Sequence, residues 1–494
     1  MKGQFAALKT LYSLAEIRNI PVFVVGGTVR DLLLGRRITD LDVLIFGNVW
    51  KLAPELAQAL EATWFVLDEQ TQTARVVLHN QQSQLNIDLV GAGYKSLHEN
   101  LVERDFTINA MAINLSDCLI HFESINNNNN KVDNYPFWGQ LFDPLKGRDD
   151  LRAGILRVTG EKVFQRDPLR LLRAVRQSAT LGLLIEKSTW ALIKQQAGLI
   201  SQSSPERVRD ELFKILALND AHYWMTQLDE LGLLDQVLPE LMTLKGVQQN
   251  EHHSLDVWGH CLATLEELEK RPWEGLLTRK IEARVNQFLT EEVVVGRSKW
   301  SLLKLAALLH DMGKPEVKAS KSGGKVVFYG HEQAGARRVR QIADRIKLSS
   351  REKRILATII DQHMRPFHLF RAKNHTAKAE CRFFFSADCE TISVLLLSIA
   401  DRRAGRVRTD AKETTDYQHF IKILLEKYLD EFQPIREHRI IRGREIMTVF
   451  GLKPGPSIGK LLKRVEEAQV LGQIHTQEDA LRLVGQILKN SRVY

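Results

Sequence analysis

Strand-like apolar runs are concentrated near the N-terminus and become rare after residue 160. Phe23–Val25, Leu41–Ile45 and Leu85–Val90 each predict a short strand, the second because its apolar run is rich in β-branched residues. Thr28 to Gly35 predicts the opening of a helix. We therefore expect an α+β fold, with a small sheet near the N-terminus followed by a mostly helical chain.

Two features of the segment 24–47 point to phosphate chemistry. Gly26 and Gly27 follow the first predicted strand and permit close approach of the backbone to a phosphate, with Arg30 nearby. Asp40 and Asp42 stand at i and i+2 of the second strand, so their carboxylates project from one face. Two hard oxygen ligands are what Mg²⁺ requires. Taken singly, the Gly-Gly pair is also typical of a turn, and the Asp-x-Asp of a solvated loop or cap.

Composition fits an intracellular enzyme that handles nucleic acid. The 494 residues suggest three or four modules, and 69 Lys+Arg against 60 Asp+Glu give a net charge of +9, which favours a polyanionic partner. The four cysteines show no close metal-type pairing, so a disulfide scaffold and a zinc knuckle are not indicated. Residues 1–10 lack a signal-peptide pattern, and we expect no apolar run of membrane-spanning length. A cytoplasmic location with no membrane partner is the resulting expectation.

The segment VVGGTVRDLLLGRRITDLDVLIFG, 24–47, resembles the first motif of the class II tRNA nucleotidyltransferase and poly(A) polymerase family, within the DNA polymerase beta superfamily. The resemblance implies a small polymerase-beta-like head. It also implies that Asp40 and Asp42 are catalytic and bind two Mg²⁺ ions, with Gly26, Gly27 and Arg30 near the triphosphate. Asp88, in the third strand, is either a third carboxylate beside this pair or a strand-edge aspartate without that role.

The motif ERDFTINAMAIN, 103–114, is similar to a nucleotide-contacting motif of the same family. That match places Arg104, Asp105 and Asn109 on the ribose and phosphates, Asp105 because a carboxylate can accept hydrogen bonds from sugar hydroxyls. The alternative is an ordinary helix start with Asp105 as its cap.

The motif RDPLRLLRAVR, 166–176, resembles the family's nucleotide-selecting helix. By that resemblance Asp167 and Arg170 contact the base edge. Three residues apart, they are predicted to share one helix face, where they would also make a good ion pair. Arg166 replaces the family's usual Glu, while Arg173 and Arg176 extend the basic face. The next block, 206–216, resembles the helix that supports this nucleotide-selecting helix in the family, and Arg207 and Glu211 are given only that supporting role. The alternative is an ordinary exposed helix.

Two lengths differ from the family pattern. Only fifteen residues separate Asp88 from Arg104, where family members that add the complete C-C-A end usually carry a longer flexible loop. In this respect the chain resembles the C-adding members of the family, which have a short segment at this position. The segment 124–140 contains five consecutive asparagines and predicts a disordered excursion without a catalytic role.

Beyond residue 245, histidines and aspartates recur in an order that resembles a histidine-aspartate (HD) phosphohydrolase domain. His310 and Asp311 follow the apolar run LAALL, where burial is costly without a metal or hydrogen-bonding partner. The resemblance implies a first metal on His260, His310, Asp311 and Asp401, and a second metal or a phosphate at His331 and His363. Mn²⁺, Co²⁺ or Ni²⁺ suits such ligands. Related domains hydrolyse 2′,3′-cyclic phosphates and 2′-phosphates, whereas a single histidine beside apolar residues is commonly a core residue.

Basic residues cluster around a Pro-Gly-Pro turn in the C-terminal segment, which resembles the tail of many family members: Lys453, Lys460, Lys463 and Arg464. They are candidates for RNA phosphate contacts, with a solvated helix face as the alternative. The expected modules are a nucleotidyltransferase head at 1–150, a helical, nucleotide-selecting and RNA-binding neck at 151–245, an HD domain at 246–430 and a helical tail at 431–494.

The function implied by the resemblance is template-independent transfer of CMP, AMP or both from CTP and ATP to the 3′ end of tRNA, by a two-metal mechanism. The HD domain would be an accessory phosphohydrolase. Two alternatives stay open at this point: a poly(A) polymerase, or an HD phosphohydrolase whose head is inactive and only binds RNA.

Overall fold

The computed structural model describes residues 2–36, 38, 40–80, 83–120, 140–249, 255–321, 326–372, 376–405 and 411–491. The chain forms two compact units, Met1–Ser203 and Ser204–Tyr494. The asparagine-rich run and the prediction made for it lie outside the described residues. The division into four modules stays a prediction.

A six-stranded mixed sheet organises the first unit. Its strands are β1 (Val22–Val25), β2 (Asp40–Ile45), β3 (Thr63–Asp68), β4 (Thr73–Asn80), β5 (Ser83–Gly91) and β6 (Ala112–Asn114), in the order β3-β4-β5-β2-β1-β6. Strands β2 and β5 pair in parallel, and every other neighbouring pair is antiparallel. The three strands predicted from the apolar runs correspond to β1, β2 and β5.

Helices cover both faces of this sheet. The first four are α1 (Lys2–Glu16), α2 (Gly27–Leu33), α3 (Val49–Ala59) and α4 (Leu97–Val102). One face packs Val24, Val43 and Ile87 into the main core of the unit. The other face buries Val25 and Leu44 in a smaller cluster. Because side chains alternate along a strand, Asp40 and Asp42 lie on the same face as Leu44.

The remainder of the first unit is mostly helical. Its regular elements after β6 are Gly147–Ala153, Ile155–Leu156, Val163–Arg166, Arg170–Leu181, Leu184–Ile185, Lys187–Gln196 and the 3₁₀ helix Ala197–Gln202, with a further 3₁₀ turn, Thr107–Asn109, before β6. The two short strands pair in parallel.

The second unit is almost entirely helical, as the loss of strand-like runs after residue 160 predicts. Its α-helices are Pro205–Leu216, Ala221–Glu230, Leu234–Val237, Val257–Glu269, Arg279–Thr290, Lys299–Leu309, Lys314–Val317, His331–Arg345, Ser350–Gln362, Arg365–Arg371, Ala377–Ala387, Thr391–Ala404, Ala411–Lys427, Gln433–Glu437, Gly443–Phe450, Pro456–Val470 and Gln477–Ser491. Its short strands are Glu292–Val294, Arg297–Ser298, Ala319–Ser320 and Val326–Val327. The last three α-helices share their own apolar cluster, which contains Ile446, Leu461 and Val484.

One stretch of the described chain, Ala377–Ala404, is long and apolar enough to cross a membrane by length and composition, contrary to the sequence expectation. It consists of two helices joined by the 3₁₀ turn Asp388–Glu390. In its most apolar window, 78% of the residues are buried inside the structure. That burial is the property of a core segment.

Candidate active site and metal centre

The glycine turn brings the acidic strand and a half-buried arginine, Arg104, together in the first unit. Gly26 lies between β1 and α2 with φ of 70°, a conformation that favours glycine. A Cβ on Gly26 would collide with the Arg104 guanidinium and lie 3.0 Å from Asp42 Oδ2. Glycine is therefore required at this position by both the backbone and the space.

The carboxylates of Asp40, Asp42 and Asp88 form the carboxylate site. In the parallel register of β2 and β5, Asp42 stands opposite Asp88, and Asp40 stands opposite Asn86. Asn86 Nδ2 donates to Asp40 Oδ1 at 2.8 Å. The Thr28 hydroxyl accepts from the Asp42 N–H at 2.8 Å and donates to the Asp40 carbonyl at 3.1 Å, which fixes the start of β2.

Electrostatics at the carboxylate site favour a bound cation. Burial raises the pKa of Asp42, because it penalises the charged carboxylate. Arg104 opposes this shift and lowers that pKa, whereas the carboxylates of Asp88 and Asp40 raise it further. Neighbouring carboxylates of one charge suit a divalent cation such as Mg²⁺, which takes hard oxygen ligands.

Asp105 is the centre of a buried hydrogen-bond network. Its Oδ1 accepts from Asn109 Nδ2 at 2.8 Å, and its Oδ2 accepts from Arg173 Nη2 at 2.6 Å. Arg30 Nη1 donates to Asn109 Oδ1 at 2.8 Å, and Gln177 Oε1 accepts from Asn109 Nδ2 at 3.0 Å. The structure therefore joins residues from the first, second and third sequence motifs around one carboxylate.

The alternative in which Asp105 caps a helix is wrong. The following 3₁₀ turn, Thr107–Asn109, has Phe106 at its cap position. Arg104 is half-buried beside this turn, and burial lowers the pKa of its guanidinium, although Asp42 and Asp105 oppose that shift.

The prediction that Asp167 and Arg170 share one helix face is also wrong. Asp167 is extended, with φ −148° and ψ 100°, and separates the helix Val163–Arg166 from the helix Arg170–Leu181. Pro168 explains the break, because proline disfavours helical backbone in the residue before it. Arg170 Nη1 instead donates to the carbonyl of Glu103 at 2.9 Å. Burial lowers the pKa of Arg170, and the charges of Asp105 and Asp167 oppose that shift.

Other predicted residues of this block are placed as follows. Arg176 is half-buried on the helix Arg170–Leu181, one turn beyond Arg173. Arg207 and Glu211 belong to the helix Pro205–Leu216 of the second unit, where buried Glu211 pairs with Lys214 at 2.9 Å.

Six predicted ligands come together in the second unit and form the histidine site: His260, His310, Asp311, His331, His363 and Asp401. His260 Nε2 lies 2.9 Å from Asp401 Oδ1, and His310 Nε2 lies 3.3 Å from Asp311 Oδ2. Asp311 Oδ1 lies 3.4 Å from His331 Nε2, so its carboxylate stands between the two predicted metal positions. Helix ends and helix interiors from five separate segments supply these side chains.

Three imidazoles of the histidine site are held in one tautomer. The Nδ1 atoms of His310, His331 and His363 each hydrogen-bond the carbonyl three residues earlier, at 2.8, 2.8 and 2.7 Å. Carbonyls only accept, so each Nδ1 carries the proton and each Nε2 faces the site, as metal binding requires. His310 Nε2 is buried and makes no hydrogen bond to any described residue.

The electrostatics of the histidine site agree with this geometry. Burial, together with His331 and His310, lowers the pKa of His363 to about 3, so its imidazole is neutral. His331 Nε2 and His363 Nε2 lie only 3.2 Å apart, which brings two nitrogen lone pairs together unless a cation lies near them. Potential ligand atoms within 4.8 Å of one another occur in three overlapping sets here, one including Cys261. These residues fit a divalent cation with mixed imidazole and carboxylate ligands.

A cavity of about 740 Å³ opens beside the histidine site. Lys314 lines it and places its Nζ 2.6 Å from Asp311 Oδ2. Lys314 was not selected by the sequence analysis; it begins the helix Lys314–Val317, and the turn before that helix brings it to Asp311. The aromatic residues Phe328, Phe367 and Tyr417 line other walls of the cavity.

All four basic residues predicted for the tail are exposed on or just before the helix Pro456–Val470: Lys453, Lys460, Lys463 and Arg464. Two of them have partners within the second unit. Lys463 Nζ lies 5.2 Å from the centre of the Phe385 ring, and Arg464 pairs with Glu467 at 3.2 Å.

Comparison with known families accounts for most of the chain. Residues 22–157 match the poly(A) polymerase head domain, and 182–244 match the "probable RNA and SrmB-binding site of polymerase A". Residues 252–405 match the HD domain, and 390–484 match tRNA nucleotidyltransferase domain 2.

Relatives and a solved structure match the chain over more than nine-tenths of its length. The A-adding tRNA nucleotidyltransferase of Deinococcus radiodurans is 32% identical, with 93% of this chain and 94% of the relative covered. The CC-adding tRNA nucleotidyltransferase of Thermus thermophilus is 30% identical, with 93% and 92% covered. A solved CCA-adding enzyme without ligand shares the fold, with a TM-score of 0.61 at 21% identity over 97% of this chain and 92% of the other.

Proposed function

The chain belongs to the class II tRNA nucleotidyltransferase and poly(A) polymerase family and is a tRNA nucleotidyltransferase, and we propose that it adds CMP, AMP or both to tRNA 3′ ends without a template. One observation carries this proposal. The carboxylate site lies at the glycine turn, and Arg104 and Asp105 connect that turn to the network holding Arg30, Asn109 and Arg173.

Each residue of this arrangement has a proposed role. Asp40 and Asp42 would hold Mg²⁺, which when bound activates the 3′-hydroxyl and stabilises the leaving pyrophosphate. Gly26 and Gly27 leave room for the triphosphate, and Arg30 and Arg104 neutralise its charge. Asn109 holds one oxygen of Asp105 and Arg173 holds the other, which fixes the orientation of a carboxylate that would accept hydrogen bonds from the ribose hydroxyls.

The base would be selected at the start of the helix Arg170–Leu181. Arg170 donates to the Glu103 carbonyl, and Asp167 Oδ1 accepts from the Leu169 N–H at 3.2 Å. Both side chains are therefore fixed at the start of this helix, where they are the proposed contacts to the base edge. Between β5 and α4 only residues 92–96 lie outside regular structure. This short connection favours C addition, as in the C-adding members that the sequence resembles.

Single-triphosphate extension tests this proposal. Purified protein is incubated with tRNA transcripts that lack the end, or that end in one or two C residues, and with CTP or ATP alone. We expect CTP to extend the first transcript by two residues and then stop. A single A added only to the transcript ending in CC would assign A addition instead, and long A tails would assign a poly(A) polymerase.

A second activity is proposed for the histidine site, because its imidazoles and carboxylates form overlapping sets of possible metal ligands beside a cavity. With Mn²⁺, Co²⁺ or Ni²⁺ bound, such a site supplies hydroxide for attack on a phosphoester. The test is hydrolysis of a 2′,3′-cyclic nucleotide, with dependence on His310. Hydrolysis without any triphosphate extension would favour the alternative of a phosphohydrolase with an inactive head.

A further inference from the structure

Arg75, on β4, holds the third carboxylate of the head. Its Nε donates to Asp88 Oδ1 at 2.6 Å and its Nη2 donates to Asp88 Oδ2 at 2.7 Å. In the strand register Arg75 stands opposite Asp88, and Asp88 stands opposite Asp42. One row across the sheet therefore reads Asp42, Asp88, Arg75, with all three side chains on the face that bears the carboxylate site.

This pair occupies both oxygens of Asp88. The guanidinium and the carboxylate are largely shielded, with side-chain exposures of 31% and 17%. A bidentate, charge-assisted pair is the strongest form of such a contact.

The ligand atoms of the carboxylate site do not converge in this arrangement. Among the described residues, the sets of three or more potential ligand atoms within 4.8 Å all belong to the histidine site. Asp40, Asp42 and Asp88 form no such set, although they are neighbours on adjacent strands. The two-point contact with Arg75 fixes the orientation of the Asp88 carboxylate in this arrangement.

We propose that Arg75 is a positioning residue that keeps Asp88 from ligating the cation held by Asp40 and Asp42. The head then binds its cation weakly until the triphosphate supplies further oxygen ligands. This inference rests on the proposed metal binding by Asp40 and Asp42, and it adds a residue to which neither sequence motif nor resemblance assigned a role.

Cation affinity without nucleotide is the direct readout. Free Mn²⁺ is followed by electron paramagnetic resonance during titration of the full-length protein. The variant carrying both Asp40→Ala and Asp42→Ala serves as a blank for Mn²⁺ bound elsewhere, including the histidine site. Because a lost structural contact does not create a ligand, tighter binding is a result that a merely structural role of Arg75 would not produce.

Two substitutions separate ligand release from charge. Arg75→Gln releases Asp88 and removes one positive charge, and we expect about tenfold tighter Mn²⁺ binding, within the range by which groups next to metal ligands change affinity. Arg75→Lys keeps the charge but cannot hold both oxygens, so binding should still tighten. The double variant Arg75→Gln with Asp88→Asn keeps the net charge without a third carboxylate and should bind like the wild type.

Other results overturn the proposal. If Mn²⁺ affinity is unchanged in Arg75→Lys, any change seen in Arg75→Gln is an effect of charge alone and Arg75 does not withhold a ligand. Weaker binding by the double variant would make Asp88 a ligand already. Arg157→Gln is the matched control, because Arg157 makes a similar pair with Asp150, at 3.1 Å, in the same unit. If the wild type binds no more Mn²⁺ than the blank variant with Asp40→Ala and Asp42→Ala, the proposed metal site itself is wrong. That result is distinct from a failure of the role proposed for Arg75.

Discussion

The carboxylate site and the histidine site would hold a divalent cation in two different ways. The first stands on the ends of strands, and its acidic groups are half-exposed and balanced by neighbouring arginines. The second is built from helices, and its imidazoles are buried, three of them held by the backbone carbonyl three residues earlier.

This difference indicates when each site would bind its cation. Burial and fixed tautomers organise the histidine site before any cation arrives, so little ordering is left to oppose binding. The carboxylate site keeps its charges apart and in contact with Arg75 and Arg104, so a cation there depends on ligands from the substrate. We expect a resident cation in the second unit and one that arrives with the nucleotide in the first.

The largest expected effect comes from removing the carboxylate site. Replacing Asp40 and Asp42 with Ala removes the groups proposed to hold Mg²⁺, and nucleotide incorporation should fall by about a thousandfold or more. Extension of labelled tRNA measures the loss, and tRNA binding should stay measurable. Hydrolysis of a 2′,3′-cyclic nucleotide by the same variant should be unchanged if the two sites work independently. If the folded double variant still incorporates nucleotide, the proposed mechanism is wrong.

The second effect concerns cation retention at the histidine site. After dialysis, wild-type protein should keep a transition metal, whereas the His310→Ala variant should lose it. The rate of cyclic-nucleotide hydrolysis by that variant should fall by at least about a hundredfold. Elemental analysis measures the metal content. His438→Ala, at an exposed histidine outside the site, is the matched control. Equal metal content in wild type and His310→Ala would break the contrast between a resident and a transient cation.

The apolar runs were enough for three strands of the head, and the family resemblance was enough for the identity of many site residues. The apolar runs predict β1, β2 and β5, and the order of histidines and aspartates predicts the six residues that meet in the second unit. The contacts of Arg75 and Asn86 could not be predicted, because they depend on strand register between segments whose pairing is set by the whole sheet.

The error at Asp167 has a different cause, because the decisive signal was present in the sequence. Pro168 disfavours helical backbone at Asp167, yet the spacing of Asp167 and Arg170 was interpreted as one continuous helix face. Local steric rules outweigh side-chain spacing when the two disagree.

A third, smaller effect tests how the first unit orients Asp105. Arg173→Lys keeps a positive charge but loses the two-point contact that Arg173 makes with Asp105, at 3.1 and 2.6 Å. We expect KM for CTP to rise about tenfold with a smaller change in kcat, because the substituted group positions the nucleotide and does not react. Steady-state extension kinetics measure both parameters. A fall in kcat at constant KM would instead place Arg173 in the chemical step.

The smallest effect is expected at the tail, where neither cation site is involved. Lys453 and Lys460 are exposed, and their proposed partners are RNA phosphates, so substitution of each with Gln should weaken tRNA binding by only a few-fold. The slope of log affinity against log salt should fall by about one for each lysine that contacts a phosphate. KM for CTP should not change, because the triphosphate is held in the other unit. Lys280→Gln is the control, since Lys280 pairs with Asp430 at 2.9 Å. An unchanged salt slope in the two tail variants would leave these lysines as an ordinary solvated face, and the contrast between the two units would then rest on their cation sites alone.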